Sequence, residues 1–367
     1  MWTITNDKNW ASLETQFSWV AAMPAVPQDA RHHAEGNVAV HTQMVLQALQ
    51  QRPDYQCLPP QHQEILWAAA LLHDVEKRCT TVAEPDGSFT AQGHARKGAQ
   101  TARRVLYMDI PTPFALREQV AALVRYYGLP LWLLEKPNPV KELVKASLEL
   151  DTRQLALLAR ADALGRICAD QPDLLYRIDC FEAFCREQDC WGQPRPFASA
   201  HARMHYLQQE QGYPDYIPFD QPVAEVILMC GLPGAGKDSY IKKHLPGLPV
   251  ISLDDIRVKM NIGPTDKTGN GHVIQAAKEQ ARVYLRSKTP FIWNATNTTR
   301  SMRTQLVELF TAYKAAVKIV HIEAPYHLLY NQNRNREAIV PASVLEKLAW
   351  KLEVPTPWEA HEVVYQV

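Results

Sequence analysis

Two groups of residues have the types and spacing to do phosphate chemistry. The first is the run Gly231-Leu232-Pro233-Gly234-Ala235-Gly236-Lys237-Asp238-Ser239. Its glycines let backbone N–H groups turn inward around an anion, a following helix adds its positive end, and Lys237 has the reach for the outer phosphates of a nucleotide. The pattern G-x-x-x-x-G-K predicts ATP as phosphate donor, with Mg²⁺ on the phosphates. Ser or Thr normally follows the lysine as magnesium ligand. Asp238 stands there instead. A carboxylate is also a hard oxygen ligand, so Asp238 is the expected ligand and the Ser239 hydroxyl is the alternative. The ATP-binding set is then Gly231, Gly234, Ala235, Gly236, Lys237, Asp238 and Ser239.

The second group is scattered along the chain. Leu71-Leu72-His73-Asp74 closes an apolar helix. A buried carboxylate needs a cation or several donors, and a divalent metal would satisfy both His73 and Asp74. His41 and Asp162 are polar positions inside other apolar helical stretches. Two histidines and two aspartates from separate helices make a mixed nitrogen and oxygen site for a transition metal.

The elements that must position these residues differ between the halves. Apolar residues recur at helical spacing over 38–51, 63–73, 95–107, 114–127, 140–148 and 153–169, and no alternating strand is expected before residue 220. Pro214, Pro218 and Pro222 mark a linker. Beyond it, short apolar runs at 226–230, 249–252, 290–294 and 317–322 alternate with helical patterns at 237–244, 273–287, 300–313 and 327–336. That alternation predicts a parallel sheet covered on both faces. The expected division is an all-helical domain over 1–218 and an α/β P-loop domain over 219–367.

At the end of the second strand the sequence reads Ser252-Leu253-Asp254-Asp255-Ile256-Arg257. Strand ends on this side of a parallel sheet form the ligand crevice. A carboxylate there can take a proton from an attacking hydroxyl, and an arginine three residues on can grip a phosphate of the acceptor. With these residues the second half resembles the 5′-hydroxyl polynucleotide kinase family of P-loop phosphotransferases, over about residues 222–360. The resemblance implies Asp254 as general base for a 5′-OH and Arg257 as the contact to the acceptor phosphate. It also implies a basic lid over the ATP phosphates, here Asn331-Gln332-Asn333-Arg334-Asn335-Arg336, with Arg334 and Arg336 as the candidates. The third strand ends in Asn294-Ala295-Thr296-Asn297, similar to the D-T-N run of relatives, with Ala295 in place of the Asp.

The order His41…His73-Asp74…Asp162 resembles the HD phosphohydrolase superfamily, an all-helical fold, over about residues 30–200. The resemblance implies that these four residues bind a metal (Mn²⁺, Co²⁺, Ni²⁺ or Zn²⁺) that activates water against a phosphoester. It makes His94 and His33 further candidate ligands and gives Lys77 the role of steadying a phosphate. Relatives carry His where this chain has Tyr127, before Gly128-Leu129-Pro130. With an unperturbed pKa of about 10, tyrosine is a poor ligand at neutral pH, so one metal is expected rather than two.

The two halves together resemble the bacterial HD-Pnk family of RNA end-healing enzymes. The implied substrates are RNA or DNA ends, single-stranded, with the first domain acting on 2′,3′-cyclic phosphate or 3′-phosphate ends and the second phosphorylating the 5′-OH. A separate RNA ligase would seal the healed ends. The alternative is a small-molecule or nucleotide kinase fused to a nucleotide phosphohydrolase. Lys plus Arg equals Asp plus Glu at 39 each, so whole-chain charge does not announce a large nucleic-acid footprint. The seven cysteines show no C-x-x-C pair and are expected as reduced, mostly buried thiols. Trp67, Trp132, Trp191 and Trp293 are expected in the core. The start of the chain lacks a signal-peptide pattern, and no stretch is apolar enough to span a membrane. A cytoplasmic enzyme is expected.

Overall fold

The computed structural model describes residues 1–263, 266–335 and 339–367. The chain divides into two compact units, Met1–Pro196 and Phe197–Val367.

In the first unit every residue of the Pro60–Leu72 helix from Ile65 onward is buried. A helix that is apolar on all sides belongs at the centre of a core, where each large aliphatic side chain contributes roughly 1.5–3 kcal/mol. It ends by delivering His73 and Asp74 into that core. The Val38–Gln51 helix starts at Asn37, whose side chain accepts from the Val40 N–H, so His41 falls in its first turn. The Thr152–Leu164 helix starts at the Asp151 cap and carries Asp162 in its last turn. It stops five residues short of the expected end at 169, because Gly165 closes it. A Cβ at Gly165 would lie 2.5 Å from Val45 Cγ2 and 2.8 Å from Val45 N. Only glycine permits this approach of the two helices, which brings Asp162 to His41. One expectation fails here: β1 (Val82–Ala83) pairs antiparallel with β2 (Phe89–Thr90), each too short to show alternation.

The second unit holds a five-stranded, all-parallel sheet in the order β4-β5-β3-β6-β7. Its strands are β3 (Ala224–Cys230), β4 (Val250–Ser252), β5 (Phe291–Asn294), β6 (Ala315–Ile322) and β7 (Glu362–Gln366). The first four match the expected runs. β7 is an edge strand of half-buried residues, so it lacks the continuous apolar signature. Helices Lys237–His244, Lys267–Arg286 and Arg300–Ala312 connect the strands, as the alternation requires. The short Leu253–Lys259 and Ala342–Trp350 helices were not foreseen.

The compact units meet earlier than the expected cut at about 218. The Ala200–Gln208 helix belongs to the second unit, where Met204 sits in the core and Arg203 donates to the Ala360 and His361 carbonyls. The prolines that suggested the linker follow this helix. Trp67 and Trp293 are core residues, but Trp132 is 38% exposed with the Arg177 guanidinium 4.7 Å from its ring centroid. Only Cys185, Cys190 and Cys230 are buried, while Cys57 and Cys79 are exposed on short one-turn segments.

Candidate active sites

The first unit brings the four scattered residues to one point. His41 Nε2 lies 3.0 Å from Asp162 Oδ1 and 3.4 Å from His73 Nε2, and His73 Nε2 lies 3.3 Å from Asp74 Oδ2. Atoms bound about 2.1 Å from one ion stand roughly 3.0–3.4 Å apart. His41, His73 and Asp162 form a cluster able to hold an ion, with Asp74 Oδ2 beside it 3.7 Å from His41 Nε2 and with 3.9 Å between His73 Nε2 and Asp162 Oδ1. All four side chains are at most 1% exposed. Burial raises the pKa of Asp162 and Asp74, yet both stay well below the ordinary carboxylate range. Arg166 and His41 outweigh burial at Asp162, and Lys77 and His73 do so at Asp74. Two ionised carboxylates facing two imidazoles are the donor set of a divalent transition metal.

Supporting groups set the orientation. His73 Nδ1 bonds to the Ala70 carbonyl at 2.7 Å. His41 Nδ1 faces two acceptors, Glu35 Oε1 at 2.9 Å and the Gly165 carbonyl at 3.2 Å. Both histidines therefore carry the Nδ1 proton and turn Nε2 to the quartet. Burial lowers the pKa of His41, but Asp162 and Glu35 raise it above its ordinary value. Glu35 escaped the sequence reading. Its only signal was its place in His33-Ala34-Glu35-Gly36-Asn37. Its carboxylate is fully buried, accepts from the Ile167 N–H, and also holds His33 Nδ1 at 2.8 Å. Burial drives the pKa of His33 down to about 4 despite that contact. His33 thus touches the quartet through Glu35 and against the His41 ring, 4.7 Å between centroids, and with Glu35 and His41 it forms a second cluster of possible ligands.

Lys77 Nζ lies 2.8 Å from Asp74 Oδ2 and donates to Gln28 Oε1. His94 sits one step out. Its Nε2 is 2.6 Å from the Tyr127 hydroxyl, which donates to Asp74 Oδ1 at 2.8 Å. Burial and the Asp74 charge hold the Tyr127 pKa well above its ordinary value, so the phenol stays neutral. Residues around the quartet line a cavity of about 450 Å³, among them Gln28, His33, Lys77, His94, Tyr127 and Arg166. That size suits a small ligand.

In the second unit the site is made largely of backbone. β3 feeds the loop at the centre of the sheet, where the strand order reverses and ligands bind. Gly231, Gly234 and Gly236 all have positive φ. A Cβ at Gly231 would lie 2.2 Å from the Ile322 carbonyl oxygen, so no other residue fits. Lys237 Nζ donates to the Gly231 and Leu232 carbonyls at 3.0 and 2.9 Å. Below the loop, Asn297 donates to the Met229 carbonyl, and Arg303 donates to the Asn297 and Glu353 carbonyls and, through Nε and Nη2, to both oxygens of Glu359. Arg303 is fully buried. This support was invisible in the sequence, because no motif marks it.

Asp254 and Arg257 form an ion pair with each other, and Arg257 Nε donates to Asn270. Asp254 lies two residues beyond Ser252, the register partner of Asn294. It therefore lies at the same, carboxyl-terminal end of the parallel strands as the loop, and its side chain is 79% exposed. Asn294, not Ala295, meets the loop helix: its Nδ2 donates to Asp238 Oδ1 at 2.7 Å. Asp238 and Ser239 are both exposed. Arg334 ends the Tyr326–Arg334 helix, and Arg336 lies outside the described residues. The neighbouring Asn333 is buried. Its amide bonds both the N–H and the carbonyl of Val340, and its backbone would lie 3.5 Å from a Cβ at Gly234. This end of the helix therefore abuts the loop.

The model of a family described as an AAA domain matches residues 226–355. The matched residues hold the glycine loop of P-loop type and most of the parallel sheet. Solved structures similar to part of this chain include an RNA repair complex of Pnkp1, Rnl and Hen1 (18% identity, 36% of this chain, 45% of that chain, TM-score 0.34). A gluconokinase from Sinorhizobium meliloti 1021 is also similar (20% identity, 40% of this chain, 83% of that chain, TM-score 0.29). So is Chaetomium thermophilum Kti12 in complex with ADP-AlF3 (16% identity, 39% of this chain, 88% of that chain, TM-score 0.30). A comparison with curated proteins finds no match. Among the described residues, no helix is long and apolar enough to cross a membrane.

Proposed function

We propose that the chain is a bifunctional nucleic-acid end-healing enzyme: a metal-dependent phosphohydrolase of HD type in the first unit and an ATP-dependent 5′-hydroxyl polynucleotide kinase in the second. The observation that carries this reading is the convergence of His41, His73, Asp74 and Asp162 at ligand spacing, in a chain that also holds a P-loop. His41, His73, Asp74 and Asp162 would hold a divalent transition ion, whose contribution is a nucleophilic water at neutral pH. Lys77 and Arg166 at the cavity wall attract the 3′-terminal or cyclic phosphate. Tyr127 ties His94 to Asp74, which leaves the quartet as a one-metal site.

In the kinase, the loop N–H groups and Lys237 hold the ATP phosphates, with Mg²⁺ neutralising their charge. Asp254 accepts the proton of the 5′-hydroxyl as its oxygen bonds to the γ-phosphorus and ADP leaves. Arg257 must leave Asp254 to grip the acceptor phosphate, so substrate binding frees the base. Arg334 and Arg336 offset the charge of the transferring group. A separate ligase would join the healed ends.

The test offers the full chain γ-labelled ATP with a 5′-OH oligonucleotide beside free nucleosides and sugars, and RNA with 3′-phosphate or 2′,3′-cyclic phosphate ends. Label on the oligonucleotide and phosphate release from the RNA support the proposal. Label confined to a small molecule overturns it in favour of a metabolite kinase.

A further inference from the structure

Asp238 and Asn294 exchange the chemistry that two P-loop positions ordinarily carry. In P-loop NTPases the residue after the loop lysine supplies a hydroxyl to Mg²⁺, and a carboxylate comes from a neighbouring strand. Here the loop-helix position holds the carboxylate, and the end of β5, hydrogen-bonded beside β3, holds an amide. One negative charge remains, on the opposite side. The two side chains meet, with Asn294 Nδ2 donating to Asp238 Oδ1 at 2.7 Å. The oxygen of the amide, Asn294 Oδ1, is shielded from solvent and accepts no hydrogen bond among the described residues. A screened acceptor without a donor is costly, and here it adjoins a carboxylate next to the phosphate loop.

We propose that this pair moves the metal-facing carboxylate of the kinase from strand to helix: Asp238 supplies the anionic oxygen for Mg²⁺, and Asn294 is a positioning residue that aims it and offers a neutral oxygen to the ion or its water. The proposal rests on reading the second unit as an ATP·Mg²⁺-dependent kinase. Mg²⁺ takes hard oxygen ligands in strict geometry and keeps several waters, which suits one carboxylate beside one amide oxygen. Ser239 is then not a ligand.

The decisive experiment titrates ADP into the full chain by calorimetry, with and without Mg²⁺, and records Mn²⁺ resonance spectra of the ADP complex. In the unaltered chain Mg²⁺ tightens ADP binding about tenfold or more. Asp238→Ser removes that gain and, by taking a carboxylate away from the phosphates, strengthens metal-free ADP binding. Asn294→Asp alone weakens metal-free binding by adding a second carboxylate. The double variant Asp238→Ser with Asn294→Asp regains the metal gain and the Mn²⁺ signal. An undiminished gain in Asp238→Ser overturns the Asp238 assignment. Failure of the double variant to regain it overturns the exchange. If the unaltered chain binds no ADP at all, the kinase reading itself fails, a result distinct from either.

Discussion

The two sites are built by opposite means. In the first unit the proposed chemistry rests on four fully buried side chains, two carboxylates and two imidazoles, with Lys77 and Arg166 paired to the carboxylates. In the second it is carried by backbone amides of a glycine loop, and the proposed base, Asp254, stands in solvent. The contrast follows from the chemistry. A metal that makes water nucleophilic needs fixed ligands in a dry, pre-organised shell. A phosphoryl transfer that relies on positioning large, solvated substrates needs an open edge that closes on them. It follows that damage to the first site should act through metal loss, and damage to the second through catalysis or local stability.

The largest effect is expected from His73→Ala or Asp74→Ala. Loss of a ligand should empty the site of its single metal equivalent and cut phosphohydrolase activity on the order of a thousandfold or more, as read by elemental analysis and phosphate release. Full metal content in either variant would break the assignment. Next is Glu359→Ala, which leaves the buried Arg303 charge without its carboxylate, with the Asn297 and Glu353 carbonyls left to meet it. It should destabilise the second unit by about 3–5 kcal/mol, seen as a shift in its denaturation midpoint with the metal content of the first unit unchanged.

Asp254→Ala should lower kinase turnover at least about a hundredfold while leaving ADP affinity within twofold of normal (roughly 0.4 kcal/mol). An equal loss of ADP affinity would mean that Asp254 supports the loop instead. The smallest effect is expected from Glu35→Gln. An amide can still bond His41 but no longer supplies charge, so metal affinity should fall by about tenfold to a hundredfold. An unchanged affinity would make Glu35 a packing residue.

The sequence displayed what each site repeats from a common pattern. The glycine loop is legible because its residue types are forced: Gly231 has no room for a Cβ. The quartet is legible because polar residues interrupt apolar helices. Asn294, Asn297 and the Arg303–Glu359 pair were not legible as site residues, because each acts through a contact far along the chain, and Glu35 was not, because its contacts to His33 and His41, though near in sequence, belong to no motif. Arg303 and Glu359, for example, are 56 residues apart. β7 and the hairpin of β1 and β2 were missed for a different reason: half-buried or two-residue strands leave no periodic trace. Ala295 was read as the altered position of the third strand, yet Asn294 is the residue that meets Asp238.

The central claim is that one chain holds two independent phosphate sites acting on opposite ends of a nucleic acid. A single time course tests it most directly. An RNA bearing a 5′-OH and a 3′-phosphate is incubated with ATP and the unaltered chain, His73→Ala or Asp254→Ala, and both ends are followed by mass. The unaltered chain should gain the 5′-phosphate and lose the 3′-phosphate. His73→Ala should change only the 5′ end, and Asp254→Ala only the 3′ end. Loss of both activities in both correctly folded variants, or removal of the 3′-phosphate by His73→Ala at the normal rate, would contradict the account.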